Sequence, residues 1–293
     1  MLSIAQAGQQ FYYLNWTPTT SKPVINGYGY KTYEKSDIAS FDFYKSLFGD
    51  LIEKFKIISP RIYYTLDLNS LYLSESQLPE VDKFEPFQKW LNSTNYDSSF
   101  SKRFEIFYYP FDKKIKKSLN IHISTSIKNA ILQSTKYYKA ELRFLSSGIF
   151  SAESCIRALY KSDELSNYIV WRLGQYNQND MIWIKNNKLI CLIKFKNLNG
   201  NFKLDNYFGC SKSTDKILKE MEKCSNNNFS KFNLNCKTFV YCNKNQNKDL
   251  QRIINSNPSQ FLPIDINRKL RIKQKKDSFI FAETGVAFRG FDV

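Results

Sequence analysis

Apolar positions recur along this chain at two alternating spacings, every second residue in some stretches and every third or fourth in others. Residues 4–7, 11–16 and 26–33 are rich in β-branched and aromatic side chains. They are separated by Gly8-Gln9-Gln10 and by 17–23, which predicts a three-stranded meander. Beyond it, Ser36 or Asp37 can cap a helix in which Ile38, Phe41, Tyr44, Phe48, Leu51, Ile52 and Phe55 build one buried face, closed by Pro60. Strands follow over 61–67 and 70–74, then a short amphipathic helix over 83–91 with Phe84, Phe87, Trp90 and Leu91 on its apolar side, then a strand over 103–109. Leu119, Ile121 and Ile123 alternate with Asn120, His122 and Ser124, which predicts a half-exposed strand running into a helix over 126–138.

A strand over 141–145 and a helix over 151–160 complete the first half. The second half repeats the order. Strands over 168–173, 181–184 and 189–195, with turns at 174–179 and Asn186-Asn187, lead to a helix over 214–224, a strand over 238–242 and a helix over 250–254. Strand meander followed by helix thus appears twice, the pattern of a mixed α/β protein.

Composition adds exclusions. With 42% hydrophobic and 16% aromatic residues in 293, the chain is long enough to bury a core and too aromatic to be disordered. Its 43 Lys and Arg against 27 Asp and Glu give +16, but the excess is mostly lysine spread among Asn, Ile, Tyr and Phe, the bias of an AT-rich genome rather than the clustered signature of a nucleic-acid surface. The six cysteines (Cys155, Cys191, Cys210, Cys224, Cys236, Cys242) contain no C-x-x-C pair, and a single His makes a zinc site unexpected. No segment is apolar for long enough to span a bilayer, and the N-terminus has no signal-peptide pattern, so a soluble, cytoplasmic protein is expected.

Short motifs spread over the chain carry a resemblance. Ser3-Ile4-Ala5-Gln6-Ala7 through Tyr13-Leu14-Asn15-Trp16 resembles the opening strand and return strand of the PilM family of type IV pilus assembly proteins, an actin-like family; the cytoplasmic part of the type II secretion protein GspL is similar. Ala140-Glu141-Leu142 with Phe150, Ala152 and Ala158-Leu159 resembles an internal passage of that family, and Trp171-Arg172-Leu173-Gly174 stands where its second V-D-I-G would be. Gly285-Val286-Ala287-Phe288-Arg289-Gly290-Phe291 is very like its closing G-L-A-L-R-G. The resemblance implies an actin-like (ribonuclease H-like) two-lobed α/β fold with an inserted α+β module of the FtsA and PilM type. Its parts would be first-lobe residues 1–66 and 146–165, the module at 67–145, a second lobe at 166–275, and a C-terminal segment at 276–293 returning to the first lobe.

Actin-like ATPases need Gly-rich turns so that backbone N–H groups reach phosphate, and carboxylates to hold Mg²⁺. The resemblance places the family's first Asp and Gly on Ala5 and Ala7, leaving only Gly8 to open the turn. It places the second Asp on Arg172, although Gly174 survives, and the adenosine-side Gly-Gly on Cys242-Asn243. These positions are therefore read as a degenerate nucleotide site, with no catalytic residue, cofactor or metal expected. His122 is read as structural and Glu283 as a helix cap.

In function, the resemblance implies a non-catalytic scaffold of a type IV pilus or type II secretion-like assembly, peripheral to the inner membrane through a partner. It would bind the N-terminal cytoplasmic peptide of an inner-membrane protein in a groove lined by the first-lobe helix and the module, with a motor ATPase as a second partner and no specific nucleic acid. Two alternatives stay open: an active actin-like ATPase or kinase, and a basic nucleic-acid binder that uses Tyr and Phe for stacking. If the charge is compositional, binding to DNA or RNA should be sequence-independent and steeply lost between about 50 and 200 mM salt, as counterion release dictates. Filter binding across that range checks this, and base preference persisting at the higher salt would favour the nucleic-acid binder.

Overall fold

A computed structural model of the chain describes residues 1–19, 23–34, 37–77, 103–111, 116–160, 165–198, 201–224, 228–264, 266, 271–272 and 280–288. In the first lobe, strands β1 (Leu2–Ala7), β2 (Gln10–Thr17) and β3 (Val24–Thr32) form the expected antiparallel meander. Helix α1 (Phe41–Phe55) crosses back so that β4 (Arg61–Leu66) lies parallel to β1. A small sheet, β5 (Tyr72–Gln77), β6 (Phe104–Pro110) and β7 (Lys117–Ser124), in the order β5-β7-β6, stands between β4 and helix α2 (Thr125–Tyr137). Strand β8 (Glu141–Ser147) then pairs parallel with β4, and helix α3 (Gly148–Leu159) leads to the second lobe.

The second lobe repeats this order. Strands β9 (Asn167–Leu173), β10 (Gln178–Lys185) and β11 (Lys188–Leu198) form a meander extended by β12 (Asn201–Gly209). After helix α4 (Ser211–Glu222), β13 (Lys237–Cys242) lies parallel to β9, and after helix α5 (Asn247–Ser256), β14 (Phe261–Pro263) lies parallel to β13. The sheets run β15-β3-β2-β1-β4-β8 and β12-β11-β10-β9-β13-β14, where β15 is Arg271–Ile272. The turn between β10 and β11 shows how local chemistry sets register. Asn186 and Asn187 both have φ near +55° (50° and 60°), which suits the right-handed twist of a two-residue hairpin and which Asn tolerates.

Strand parity distributes the core. In β1, Leu2 and Ile4 face the outer first-lobe core with α1 and α2, whereas Ala5 and Ala7 face a core shared by both lobes. In β9, Ile169, Trp171 and Leu173 face the outer second-lobe core, and Tyr168 and Val170 face the shared one. Helix α3 is buried along Gly148–Ile156 because it lies in the middle of the shared core, which accounts for its nearly all-round apolar and small surface.

Several expectations need correction. Helix α1 begins after Ser40, while Ser36 falls outside the described residues, as do the helix expected over 83–91 and the closing Arg289-Gly290-Phe291. The module boundary at 145 falls inside β8, a first-lobe strand, and α2 packs on α1, so β5–β7 alone stand apart from the first sheet. The second lobe does not extend to 275, since β15 pairs with Val24 and Ile25 of β3. Strand β7 is not half-exposed: Ser118, Asn120 and His122 are buried as fully as Leu119, Ile121 and Ile123. Polar side chains tolerate this by pairing with one another along and across the strands. Ser74 Oγ and His122 Nε2 are 2.8 Å apart, Ser118 Oγ donates to Asn120 Oδ1 at 2.9 Å, and Asn120 Nδ2 donates to Ser76 Oγ at 3.0 Å. Burial pushes the His122 pKa down to about 4, so the ring is neutral at pH 7.

Of the terminal segment, the described residues 282–288 lie against the first lobe. A 3-10 helix, Ala282–Phe288, is buried throughout and lies against α3, β1 and β4. Ser3 Oγ donates to Thr284 O at 2.6 Å, Thr65 Oγ1 donates to Glu283 O at 3.1 Å, and the Phe288 ring meets Trp16. A Cβ on Gly285 would lie 2.2 Å from Cys155 Cβ on α3, which is why the two segments can touch. Gly285→Leu should therefore overpack this contact and destabilise by about 1–3 kcal/mol. Urea unfolding at constant m-value measures it, and an unchanged midpoint would mean the segment is not held there.

Candidate functional site

The period-2 rule that sorts apolar residues also sends charged ones into the shared core. Arg172 continues the Tyr168 and Val170 face of β9, Asp180 shares the face of Ile182 and Ile184 in β10, and Lys194 shares that of Leu192 in β11. From the first lobe, Asp67 extends the Tyr63 and Thr65 face of β4. Tyr241 of β13 and Glu283 of the terminal 3-10 helix complete the group. All but Lys194 are buried.

Arg172 is the hub. Its Nη1 lies 3.0 Å from Asp67 Oδ1 and 3.3 Å from Asp180 Oδ2, and its Nε lies 2.9 Å from Glu283 Oε1. Tyr241 OH donates to the same Glu283 oxygen at 2.9 Å. Lys194 Nζ donates to Asn69 Oδ1 at 3.0 Å and sits 3.9 Å from Asp180 Oδ1. Three carboxylates thus share two cations, one of them at longer range, and the protonation states follow from that shortage. Burial alone would raise Asp67, but the Arg172 charge together with hydrogen bonds from Asn69 N–H, Arg172 and Gly8 N–H holds it below its ordinary value. Burial raises Asp180, and Arg172 and Lys194 only partly offset this. Burial pushes Glu283 up to about 8 despite its contact with Arg172, and its Oε2 has no hydrogen-bond partner among the described residues. Burial opposes the Arg172 charge, yet Asp67, Glu283, Tyr241 and Asp180 raise its pKa well above normal, so it stays a cation.

Next to this hub, two hairpin turns meet across the lobes. Gly8, with φ of +59°, closes the β1–β2 turn and donates its N–H to Asp67 Oδ2 at 2.6 Å. Gln175, just after Gly174, donates from Nε2 to Ala7 O at 3.4 Å, and a Cβ on Gly8 would lie 2.8 Å from Gln175 Oε1. Gly174 has an ordinary negative φ; it is small because a Cβ there would lie 2.5 Å from Gln178 O. Gln246 Nε2 donates to Gly174 O, Asn243 Oδ1 accepts Asn245 N–H at 3.1 Å, and Lys244 N–H reaches across to Tyr12 OH at 3.1 Å. Ala5 and Cys242 are core residues on β1 and β13. On the other face of β9, a cavity of about 160 Å³ lies among Trp171, Asn177, Asn179, Phe229, Asp249 and Arg252. Strand parity separates it from Arg172.

The structure therefore brings Ala7, Gly8, Arg172 and the Gly174 turn together at one end of the shared core, with Asn243 accepting the Gln246 N–H nearby, whereas Cys242 faces the outer second-lobe core. It corrects two readings. The region is not poor in carboxylates: Asp67, Asp180 and Glu283 are all present and bonded to Arg172. Glu283 is no helix cap, because its side chain points inward to Arg172 and Tyr241. The available signal was a charged residue inside an otherwise apolar strand, Arg172 after Ile169-Val170-Trp171 and Asp180 before Met181-Ile182. Glu283 carried no local signal. Among the described residues no group of three or more His, Cys, Asp or Glu is placed to hold a metal ion.

No family model matches the chain, and no curated protein sequence matches it. Solved structures do. A chain of the PilM-PilN type IV pilus biogenesis complex matches over 99% of this chain and 98% of its own length, with a TM-score of 0.65 at 8% identity. The cytoplasmic domain of EpsL, an inner-membrane component of the type II secretion system of Vibrio cholerae, matches over 99% and 93% with a TM-score of 0.44 at 7% identity. A Bacteroides thetaiotaomicron protein with an actin-like ATPase fold matches over 92% and 91%, with a TM-score of 0.43 at 11% identity. Of these three, the first has a TM-score above 0.5, and it shows a common fold along the whole length.

The charge shortage has a consequence for pH. Glu283 keeps its proton in the folded protein to about pH 8, whereas its ordinary value is 4.5. The folded state holds the extra proton across that window, so the contribution of Glu283 to stability is full below about 4.5 and is lost as pH rises through about 8. Asp180, also raised, acts in the same direction. Glu283→Gln should remove a slope of up to about 1.4 kcal/mol per pH unit. Urea midpoints of the two proteins from pH 5 to 8.5 check this, and parallel pH profiles would count against the assignment.

Proposed function

We propose that this actin-like chain is a non-catalytic scaffold of an inner-membrane assembly complex of the type IV pilus or type II secretion kind. In this reading it sits at the cytoplasmic face and binds a short cytoplasmic tail of a membrane partner, with a motor ATPase as a second partner. The observation that carries the proposal is the chain of contacts Gly8 N–H to Asp67 to Arg172. An actin-like ATPase needs free backbone donors for phosphate and free carboxylates for Mg²⁺. Here the donor of the first turn is bonded to a carboxylate and that carboxylate to a guanidinium, which supports the reading that neither is free for a nucleotide or its metal. The assembly setting is supported by the full-length fold likeness to a chain of the PilM-PilN complex, a protein named for pilus biogenesis. A tail-binding groove would run between α1 and the β5–β7 sheet.

A nucleotide at 100 times its dissociation constant stabilises a protein by about 2.7 kcal/mol. For a chain of this size that is a rise in Tm of roughly 4–5 °C. Millimolar ATP with Mg²⁺ should move Tm by no more than about 1 °C against this scale, and synthetic N-terminal tails of pilus or secretion membrane proteins encoded beside this gene should bind and raise it. A metal-dependent shift with ATP would overturn the non-catalytic reading, and failure of every tail to bind would overturn the scaffold reading.

A further inference from the structure

Lysine is abundant throughout the chain, but one helix arranges it. In α4, Lys212, Lys216, Lys219 and the following Lys223 are all exposed and stand at intervals of four, three and four residues. At about 100° per residue they fall within a stripe about 60° wide and about 17 Å long, on the side opposite buried Thr214, Ile217 and Met221. The stripe continues onto the sheet. Lys216 Nζ lies 5.6 Å from the centre of the Trp183 ring, and Trp183 shares its strand face with Lys185. Lys185 is exposed and pairs directly with exposed Lys188 across the Asn186-Asn187 turn, and like charges at paired positions repel. Of the acids on the helix, Glu220 pairs with Lys223 and accepts Asn233 N–H, while Asp215 and Glu222 are exposed to one side of the stripe.

We infer that the lysine face of α4 and the β10–β11 turn is a docking surface for an anionic phospholipid bilayer. The charge is complementary, and each lysine near such a surface strengthens attraction to it about fivefold. Nucleic acid is the less suitable polyanion. The stripe contains no arginine fork and no aromatic platform facing outward, the groups that hold and stack nucleotides, whereas lysine ammonium groups act as mobile point charges suited to a fluid array of headgroups. The preference for a membrane also rests on the proposed placement at the inner membrane, while the lysine arrangement does not depend on it.

The test is sedimentation of the full chain with vesicles of phosphatidylcholine alone and of phosphatidylcholine with 30% phosphatidylglycerol, at about 50 and 200 mM salt. Binding should require the anionic lipid and weaken with salt. Replacing Lys212, Lys216, Lys219 and Lys223 together by Gln should weaken it roughly 500-fold. A charge-matched control, with the exposed Lys56, Lys136, Lys139 and Lys248 replaced by Gln, should weaken it less than about threefold. Circular dichroism confirms that both variants fold, and single Lys→Gln changes serve if the fourfold one does not. Equal losses in the two variants would mean bulk charge alone and overturn the proposal. So would absence of binding to anionic vesicles at low salt, or a DNA duplex competing for the same four lysines more tightly than the lipid. The vesicle result is independent of ATP and peptide-tail binding, so it can fail or succeed separately from the scaffold reading.

Discussion

A guanidinium buried between two lobes dictates much of the rest of this molecule. Leaving one cation unpaired in that setting would cost several kcal/mol, so the shared core must supply anions from every side. It does so with Asp67 from the first lobe, Asp180 from the neighbouring strand of the second, and Glu283 from the terminal segment. Each contributor comes from a different part of the chain, and the hub therefore ties first lobe, second lobe and C-terminal segment into one interior. Three acids around Arg172 and the more distant Lys194 are one negative charge too many, and Glu283 relieves the excess by keeping its proton.

The same residues give the two hairpin turns their character. The β1–β2 and β9–β10 turns touch through Gln175 and Ala7, and the Gly8 N–H is turned to Asp67. The two lobes are joined further by the Lys244 N–H to Tyr12 bond and by Gly209 N–H donating to Glu75 of the small sheet.

Charge illustrates how composition and geometry can disagree. As a count, +16 with scattered lysine says little, and the first-lobe lysines fit that description: Lys31 pairs with Asp50, Lys54 bonds Tyr13, and Lys45 lies over the Tyr137 ring. Helix α4 differs because its lysines recur with the helical period, which composition alone does not produce.

Much of the architecture was legible in the sequence because apolar periodicity is a local property. The two meanders, α1 and the alternating β7 follow from spacings of two and three to four, and the duplicated order follows from reading them in sequence. Strand parity even determined that Arg172 and Asp180 would face the same core as Tyr168 and Ile182. Which groups would meet them was not local. Asp67 and Glu283 lie 105 and 111 positions from Arg172, and no spacing rule connects them. The β12 and β15 pairings were missed for related reasons: in β12 exposed Lys203 and Asp205 alternate with half-buried neighbours, and β15 is two residues long and gains its register only from β3. The burial of Ser118, Asn120 and His122 was likewise invisible, because a polar side chain reads as exposed until a partner such as Ser74 or Ser76 is placed opposite it. The sequence by itself determined where the two meanders and their helices would run and which of their faces would be apolar. The tertiary structure decided which polar groups share a buried environment, because the cost of burying a charge depends on its partners, and those are set by how distant segments pack.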